Sequence, residues 1–494
     1  AFGSAWWAGC DPNGATKLTT MPFAPLSGGS PQSPGQCAAM KGTLGPLKEP
    51  WPWAVLSLGL TGDGVPVDLS AYKAVRFYTK GDGKSHVLSL DKASVTDYCG
   101  FGAEFVSPKE WTSVTIPFTD FTQAAWGKQL EKRFEDVTKI TFSPGTSGPD
   151  FDFLVDDIEF IKDIRVGEGK TQGKNQAKTD FRWKDRGPVV LPIPDADHPI
   201  VSVKDPTVVR YGGSWHVIAT TADTQGAWNM VDLKFDDWSK ATAAKPFYMD
   251  KNPNLRGYHC APQVFYFTPQ KKWYLLFQSG QPQYCTTDDI NKPETWSQPR
   301  DFFNKLPAND LAKSWLDFWI ICDKQYAYLF FTGDNGHFYR SRTKLSDFPN
   351  EMSEPVVVMK AYNPGDLFEG SATYKMKGEE KYLTLIEAIG PGGHRFYKSF
   401  TATSLDGEWK PWADTWQNPF AGLQNVVFTD GEKPWTQDIS HGELVRDGYD
   451  ETMTVDPKNL QLLFQGRDPA SDGKQYSQLP YRLGLLTKTS DLGK

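Results

Sequence analysis

Asp205-Pro-Thr-Val-Val, followed a few residues later by Trp215-His-Val-Ile, is the stretch that decides the fold, because the chain repeats it. Each copy has a polar start, an apolar strand, a turn at Gly or Lys, and a second strand rich in aromatics. Ala261-Pro-Gln-Val-Phe leads to Trp273-Tyr-Leu-Leu, and Asp317-Phe-Trp-Ile-Ile leads to Tyr326-Ala-Tyr-Leu. Glu369-Gly-Ser-Ala-Thr leads to Tyr382-Leu-Thr-Leu, and His441-Gly-Glu-Leu-Val leads to Leu460-Gln-Leu-Leu. The starts are spaced by roughly 56, 56, 52 and 72 residues, near the repeat length of propeller blades. Short apolar runs between turn signals read as strands, and no long stretch carries a helical period. The reading is all-β, with a five-bladed β-propeller over residues 181–494.

Working outward, residues 1–162 read as a separate β domain. Ala74–Tyr78, Val114–Pro117 and Phe151–Phe160 alternate or run apolar between turn signals. Between the two lies a polar, Gly-containing tract, residues 163–180, which reads as a linker. The 494-residue length fits this division.

Composition narrows the function. The formal net charge is -7, so the basic field that draws a protein to nucleic acid is missing. No run of about 18 apolar residues occurs, and no membrane span is expected. Eighteen Trp suit aromatic cores and also suit sugar binding, since indole faces stack on sugar C–H groups. Among the six cysteines there is no CxxC pair. Cys10 and Cys37 flank a Gly/Pro/Ser-rich stretch, and Cys260 and Cys285 bracket a hairpin-like unit. Both are candidate disulfides for an oxidising, extracellular setting. Cys322, inside an apolar run, reads as a buried free thiol. A secreted monomer is the expectation.

In a propeller the innermost strands converge on one end of the central axis. The repeat therefore brings Asp205, Ala261, Asp317, Glu369 and His441 together. Three are acids, whose mutual repulsion is tolerated where a cation or substrate uses them. Convergent carboxylates serve either metal binding or glycosidic cleavage, which needs one protonated acid and one carboxylate on opposite faces of the sugar. Lys204 would favour ionised Asp205, and the apolar Leu367-Phe368 before Glu369 would favour a protonated acid. Other chemistries lack their motifs. There is no Gly-x-Ser-x-Gly, no HExxH and no Walker loop, and Gly390-Pro-Gly-Gly393 lacks the following Lys-Ser/Thr.

With these residues in place, the second half resembles glycoside hydrolase family 62, the α-L-arabinofuranosidases. The resemblance is carried in order by Lys204-Asp-Pro-Thr-Val, Arg256-Gly-Tyr, Ala261-Pro-Gln-Val-Phe-Tyr-Phe and Trp315-Leu-Asp-Phe-Trp-Ile-Ile-Cys-Asp323. It continues through Asp366-Leu-Phe-Glu369, His394-Arg-Phe-Tyr-Lys-Ser-Phe-Thr401, Asp438-Ile-Ser-His-Gly-Glu-Leu444 and Gln478-Leu-Pro-Tyr-Arg-Leu-Gly-Leu-Leu486. It implies an inverting, exo-acting enzyme that removes arabinose from arabinoxylan. Asp205 would be general base, Glu369 general acid, and Asp317 the residue that tunes and positions the acid. Lys204, Arg395 and Tyr481 would hold arabinose, and a calcium ion in the channel would contact His441. The Gly-Ser-Ala-Thr after Glu369 and the His394 before Arg395 depart from the family's pattern. A family 43-type xylosidase or endo-arabinanase, or a calcium-dependent glycan-binding propeller without catalysis, are the alternatives.

The first domain resembles a jelly-roll β-sandwich of carbohydrate-binding type, through Val67-Asp-Leu-Ser-Ala-Tyr72, Trp111-Thr-Ser-Val-Thr-Ile-Pro-Phe118 and Phe153-Leu-Val-Asp-Asp-Ile-Glu-Phe160. Trp6, Trp7, Trp51 and Trp53 are candidates for a sugar platform there, with core packing as the alternative.

Overall fold

The structure is a computed structural model. It describes residues 5–489 except 13–15, 48–50, 124–127, 129, 146–147, 163–180, 306–314, 391–392 and 429–433. The linker expected at 163–180 lies outside the described residues. The chain forms two compact units, the first made mainly of residues before that tract in the sequence and the second of residues after it. The described residues contain strands and short 3-10 turns, with no α-helix. No helix among them is long and apolar enough to cross a membrane.

The first unit is a sandwich of two antiparallel sheets. One carries Trp6–Cys10, Ala54–Gly59, Val137–Pro144, Ser85–Lys92 and Phe101–Val106 in that spatial order; the other is built around Gln36–Thr43, Asp150–Ile161, Ala74–Gly81 and Thr112–Pro117. Period-2 alternation turns Phe77, Phe105, Phe142 and Phe153 into the shared core, where their rings meet edge to face. The alternation also separates the tryptophans. Trp6 points inward and stacks on Phe23, whereas Trp7, Trp51 and Trp53 are exposed.

The second unit is the five-bladed propeller. Three blades are simple four-stranded meanders; their first strands are Ile200–Tyr211, Cys260–Phe267 and Leu316–Cys322. Glu369–Met376 begins the fourth. The fifth is assembled from both parts of the sequence: Trp183–Val190 pairs with Arg482–Lys488, which pairs with Gln461–Gly466 and then Ser440–Leu444. This closes the ring and removes the free edges an open array would expose. The first strands of successive blades touch around the whole ring and so line the axis.

Blades pack face to face through apolar side chains. Val208, Val217 and Leu233 of the first blade meet Leu463, Leu483 and Leu485 of the fifth. On the other face Val209, Ile218 and Met230 meet Val264, Trp273 and Leu275 of the second. The axis holds a buried polar knot. Arg446 pairs with Glu443 at 2.7 Å and donates to the carbonyls of Val208 and Val264, while Thr207 donates to Glu443 at 2.6 Å. Each charge is compensated, as burial requires.

Both candidate disulfides are corrected. Cys10, Cys37, Cys260 and Cys285 are free thiols. Cys260 and Cys285 sit on strands that flank Lys272–Ser279 on either side. Two strand spacings, about 9–10 Å, exceed what a disulfide spans. Cys10 and Cys37 belong to different sheets of the sandwich. Cys322 is buried and free, in line with its apolar run.

One buried acid carries a stability prediction. Asp232, in the strand Trp228–Phe235, is buried, and its Oδ1 has no hydrogen-bond partner among the described residues. Burial pushes its carboxyl up to about 7, with Lys234 opposing. The folded state therefore holds this proton more tightly than the unfolded chain. The resulting stabilisation is full below the unfolded value near 4 and is lost as pH rises to and through about 7. Asp232→Asn is expected to flatten that dependence and to raise the melting temperature at pH 8 by several degrees, an effect of at most about 4 kcal/mol. Thermal unfolding of both proteins at pH 5 and pH 8 checks it.

Candidate active site

The pocket owes its shape to one local device that recurs from blade to blade. In each of the first four blades the first strand slips register against the second just as it enters the ring: after Lys204, Cys260, Leu316 and Glu369. Two residues then face one on the neighbouring strand, a β-bulge, which bends the strand and re-aims a side chain. The first bulge residue has a left-handed backbone: φ is 46° at Asp205, 49° at Ala261, 57° at Asp317 and 60° at Gly370. Such conformations at Asp and Ala are costly and cluster at functional sites.

This alignment corrects the sequence phase. Gly370, not Glu369, is the equivalent of Asp205 and Asp317, and Glu369 stands where Lys204 stands in the first blade. The reason is space. A Cβ on Gly370 would lie 3.2 Å from both Glu387 Oε2 and the Tyr397 hydroxyl, at a positive φ. The fourth blade therefore presents its acid from the preceding position.

Asp205, Asp317, Glu369, Lys204, Arg395 and His441 all line one cavity of about 350 Å³ in the propeller unit. On one side, Lys204 Nζ lies 3.8 Å from Asp205 Oδ2 and donates to the Tyr476 hydroxyl at 2.9 Å, with Trp228 and Tyr476 rings over the ammonium. Burial opposes the Lys204 charge, but Asp205 and the Tyr476 hydroxyl outweigh it and raise its pKa. Gln465 Oε1 takes the Asp205 backbone N–H at 2.7 Å and fixes the bulge. His441 Nδ1 bridges the acids, 3.4 Å from Asp205 Oδ1 and 3.7 Å from Asp317 Oδ2. Asp317 also accepts the Gly370 N–H at 2.7 Å. Its carboxyl is raised by burial, against the His441 charge, with Asp205 adding to the rise.

On the other side, Glu369 faces Arg395, with Oε1 3.6 Å from the guanidinium, which also lies over the Phe368 ring. Burial, then the charges of Glu387 and Asp317, push the Glu369 carboxyl well above the ordinary range. One side thus sets Asp205 between Lys204 and His441, and the other offers a carboxyl disposed to keep its proton.

Tyr481 stands behind this wall. Its ring is 5.7 Å from the Lys204 ammonium, while Tyr476 supplies the hydroxyl that Lys204 reaches and lines the cavity. The repeat missed Tyr476 because it lies in a 3-10 turn, Tyr476–Gln478, outside any blade. It also missed Asp334, in the cavity wall, whose carboxyl desolvation and the Asp317 charge push up to about 6. Glu387 was missed too, though a lone acid in the apolar strand Tyr382–Ile389 was a visible signal.

Calcium requires about six to eight oxygen ligands. Among the described residues no group of three or more His, Cys, Asp or Glu side chains is arranged to hold a metal ion. His441 directs its Nδ1 at the Asp205 and Asp317 carboxylates instead.

A second hollow of about 640 Å³ adjoins the first, sharing Trp228 and Tyr258 as walls. A small cavity with acids on two sides, beside a larger hollow that shares its aromatic walls, is the arrangement of a glycoside hydrolase on a five-bladed propeller. The chain belongs to glycosyl hydrolase family 62, whose family model matches residues 189–487. It is 42% identical over 313 residues to α-L-arabinofuranosidase C of Cellvibrio japonicus (strain Ueda107), a match covering 63% of this chain and 48% of that protein. The chain thus spans about half the length of the curated relative it matches. Among solved structures, the catalytic domain of a Coprinopsis cinerea family 62 α-L-arabinofuranosidase is 47% identical with a TM-score of 0.60, covering 63% of this chain and 98% of that one. The Podospora anserina α-L-arabinofuranosidase in complex with cellotriose is 43% identical, TM-score 0.60, with the same coverages. A family 62 hydrolase in complex with xylotriose is 43% identical, TM-score 0.59, again covering 63% and 98%. A second family model, Complex I intermediate-associated protein 30 (CIA30), matches residues 56–153, within the sandwich.

Proposed function

We propose that this chain is a secreted, monomeric, exo-acting α-L-arabinofuranosidase that releases arabinose side groups from arabinoxylan with inversion. The observation that carries the reading is the division of one cavity into two sides, Lys204–Asp205–His441 on one and Glu369–Arg395 on the other. The names of the family 62 relatives, and the xylotriose and cellotriose bound by two of them, support the substrate class.

In this reading arabinose occupies the cavity of about 350 Å³, and the xylan backbone lies in the adjoining hollow walled by Trp228 and Tyr258. Asp205 takes a proton from water as its oxygen attacks the anomeric carbon. Glu369 gives its proton to the glycosidic oxygen as the C–O bond breaks, so xylan leaves with a hydroxyl and arabinose leaves as the opposite anomer. Asp317, fixed by the Gly370 N–H, adds the negative charge that keeps Glu369 protonated. Lys204, Tyr476 and Arg395 supply hydrogen bonds to sugar oxygens, with Tyr481 backing Lys204. Chromatography of soluble products from wheat arabinoxylan tests the assignment. Free arabinose with an undegraded xylan chain is expected; xylose, xylo-oligosaccharides or no sugar at all would overturn it.

A further inference from the structure

Glu369 and Glu387 are directly opposite each other on adjacent antiparallel strands. Like charges in that position are destabilising unless something intervenes. The Arg395 guanidinium does: its NH1 is 3.6 Å from Glu369 Oε1 and 3.3 Å from Glu387 Oε1. Two acids thus share one cation, and their other partners decide which holds the charge. Glu387 is completely buried and accepts two further hydrogen bonds, from Ser440 Oγ at 2.9 Å and from the His441 backbone N–H at 2.7 Å. The Glu369 carboxyl makes no hydrogen bond among the described residues, only the longer approach to Arg395. Hydrogen bonds to an ionised carboxylate stabilise it. The negative charge therefore settles on Glu387.

We propose that Glu387 is a positioning residue for catalysis: held by Ser440 and His441, it draws Arg395 toward itself and leaves Glu369 as the protonated member of the pair. The proposal rests on the reading of Glu369 as general acid. The groups facing Glu369 agree with it. Glu387 from the next strand, Asp317 from the third blade and Asp334 from the third-blade hairpin are acidic, and Arg395 is the opposing cation. Tyr476 approaches from the C-terminal turn. Burial acts on both carboxyls in the same direction; the asymmetry comes from the donors on Glu387.

Glu387→Gln removes the competing charge and releases Arg395 to Glu369. The basic limb of the kcat/KM profile on arabinoxylan is expected to move down by about 1–3 pH units. The deficit at neutral pH should shrink sharply on an aryl arabinofuranoside, whose leaving group needs little protonation. Ser440→Ala, which removes one donor from Glu387, should move the limb the same way by less, and it serves if Glu387→Gln does not fold. Infrared titration of the protonated carboxyl band, assigned by its loss in Glu369→Gln, reads the same shift without turnover. A limb and band that stay in place while activity falls uniformly would overturn the role of Glu387. If the wild type releases no arabinose while the band still shifts, the functional reading fails and the charge assignment stands.

Discussion

Glu369→Gln is expected to lower kcat on arabinoxylan about 10²–10⁴-fold, the usual contribution of a positioned general acid, while leaving KM within a small factor. The amide keeps the size of the side chain and its place beside Arg395, so binding survives; what is lost is the proton. The loss should depend on the leaving group. A xylan hydroxyl is a poor leaving group and must be protonated as the bond breaks, whereas a dinitrophenolate is stable as an anion. Steady-state rates on both substrates check this. An equal loss on the two would mean that Glu369 binds or shapes the pocket and does not protonate.

Asp205→Asn should cost a comparable factor, about 10²–10⁴, by a different route. Water is a weak nucleophile until a base takes its proton, and an asparagine side chain cannot take one. The loss should be similar on activated and natural substrates, because leaving-group help does not replace the base. Added azide, already an anionic nucleophile, should restore turnover of the aryl substrate and give the arabinosyl azide. Lys204 and His441 stay in place around the isosteric amide, so the comparison isolates the base. Absence of azide rescue in a folded variant would argue against this role.

The periodic parts of the molecule were legible in the sequence. Strand–turn–strand units with alternating apolar faces announce blades, and the three acids near the strand starts do line one cavity. One-residue detail was not legible. The bulges that aim Asp205 and Asp317 are backbone events, and the fourth blade moves its acid back one residue because Gly370 must fit against Glu387 and Tyr397. Tyr476 and Asp334 reach the cavity from a turn and a hairpin, which no repeat phase describes. Cysteine spacing misled for a simple reason. Cys260 and Cys285 are near in sequence, but a whole strand separates them in the sheet.

The central claim is that Asp205 and Glu369 act from opposite sides of one bound sugar. Proton NMR of the reaction of wild-type protein with arabinoxylan, followed from the first minutes, tests it most directly. The account predicts that free arabinose appears first as the β-furanose anomer and only later equilibrates. First appearance of the α anomer would require a covalent intermediate and would contradict the division of roles between Asp205 and Glu369.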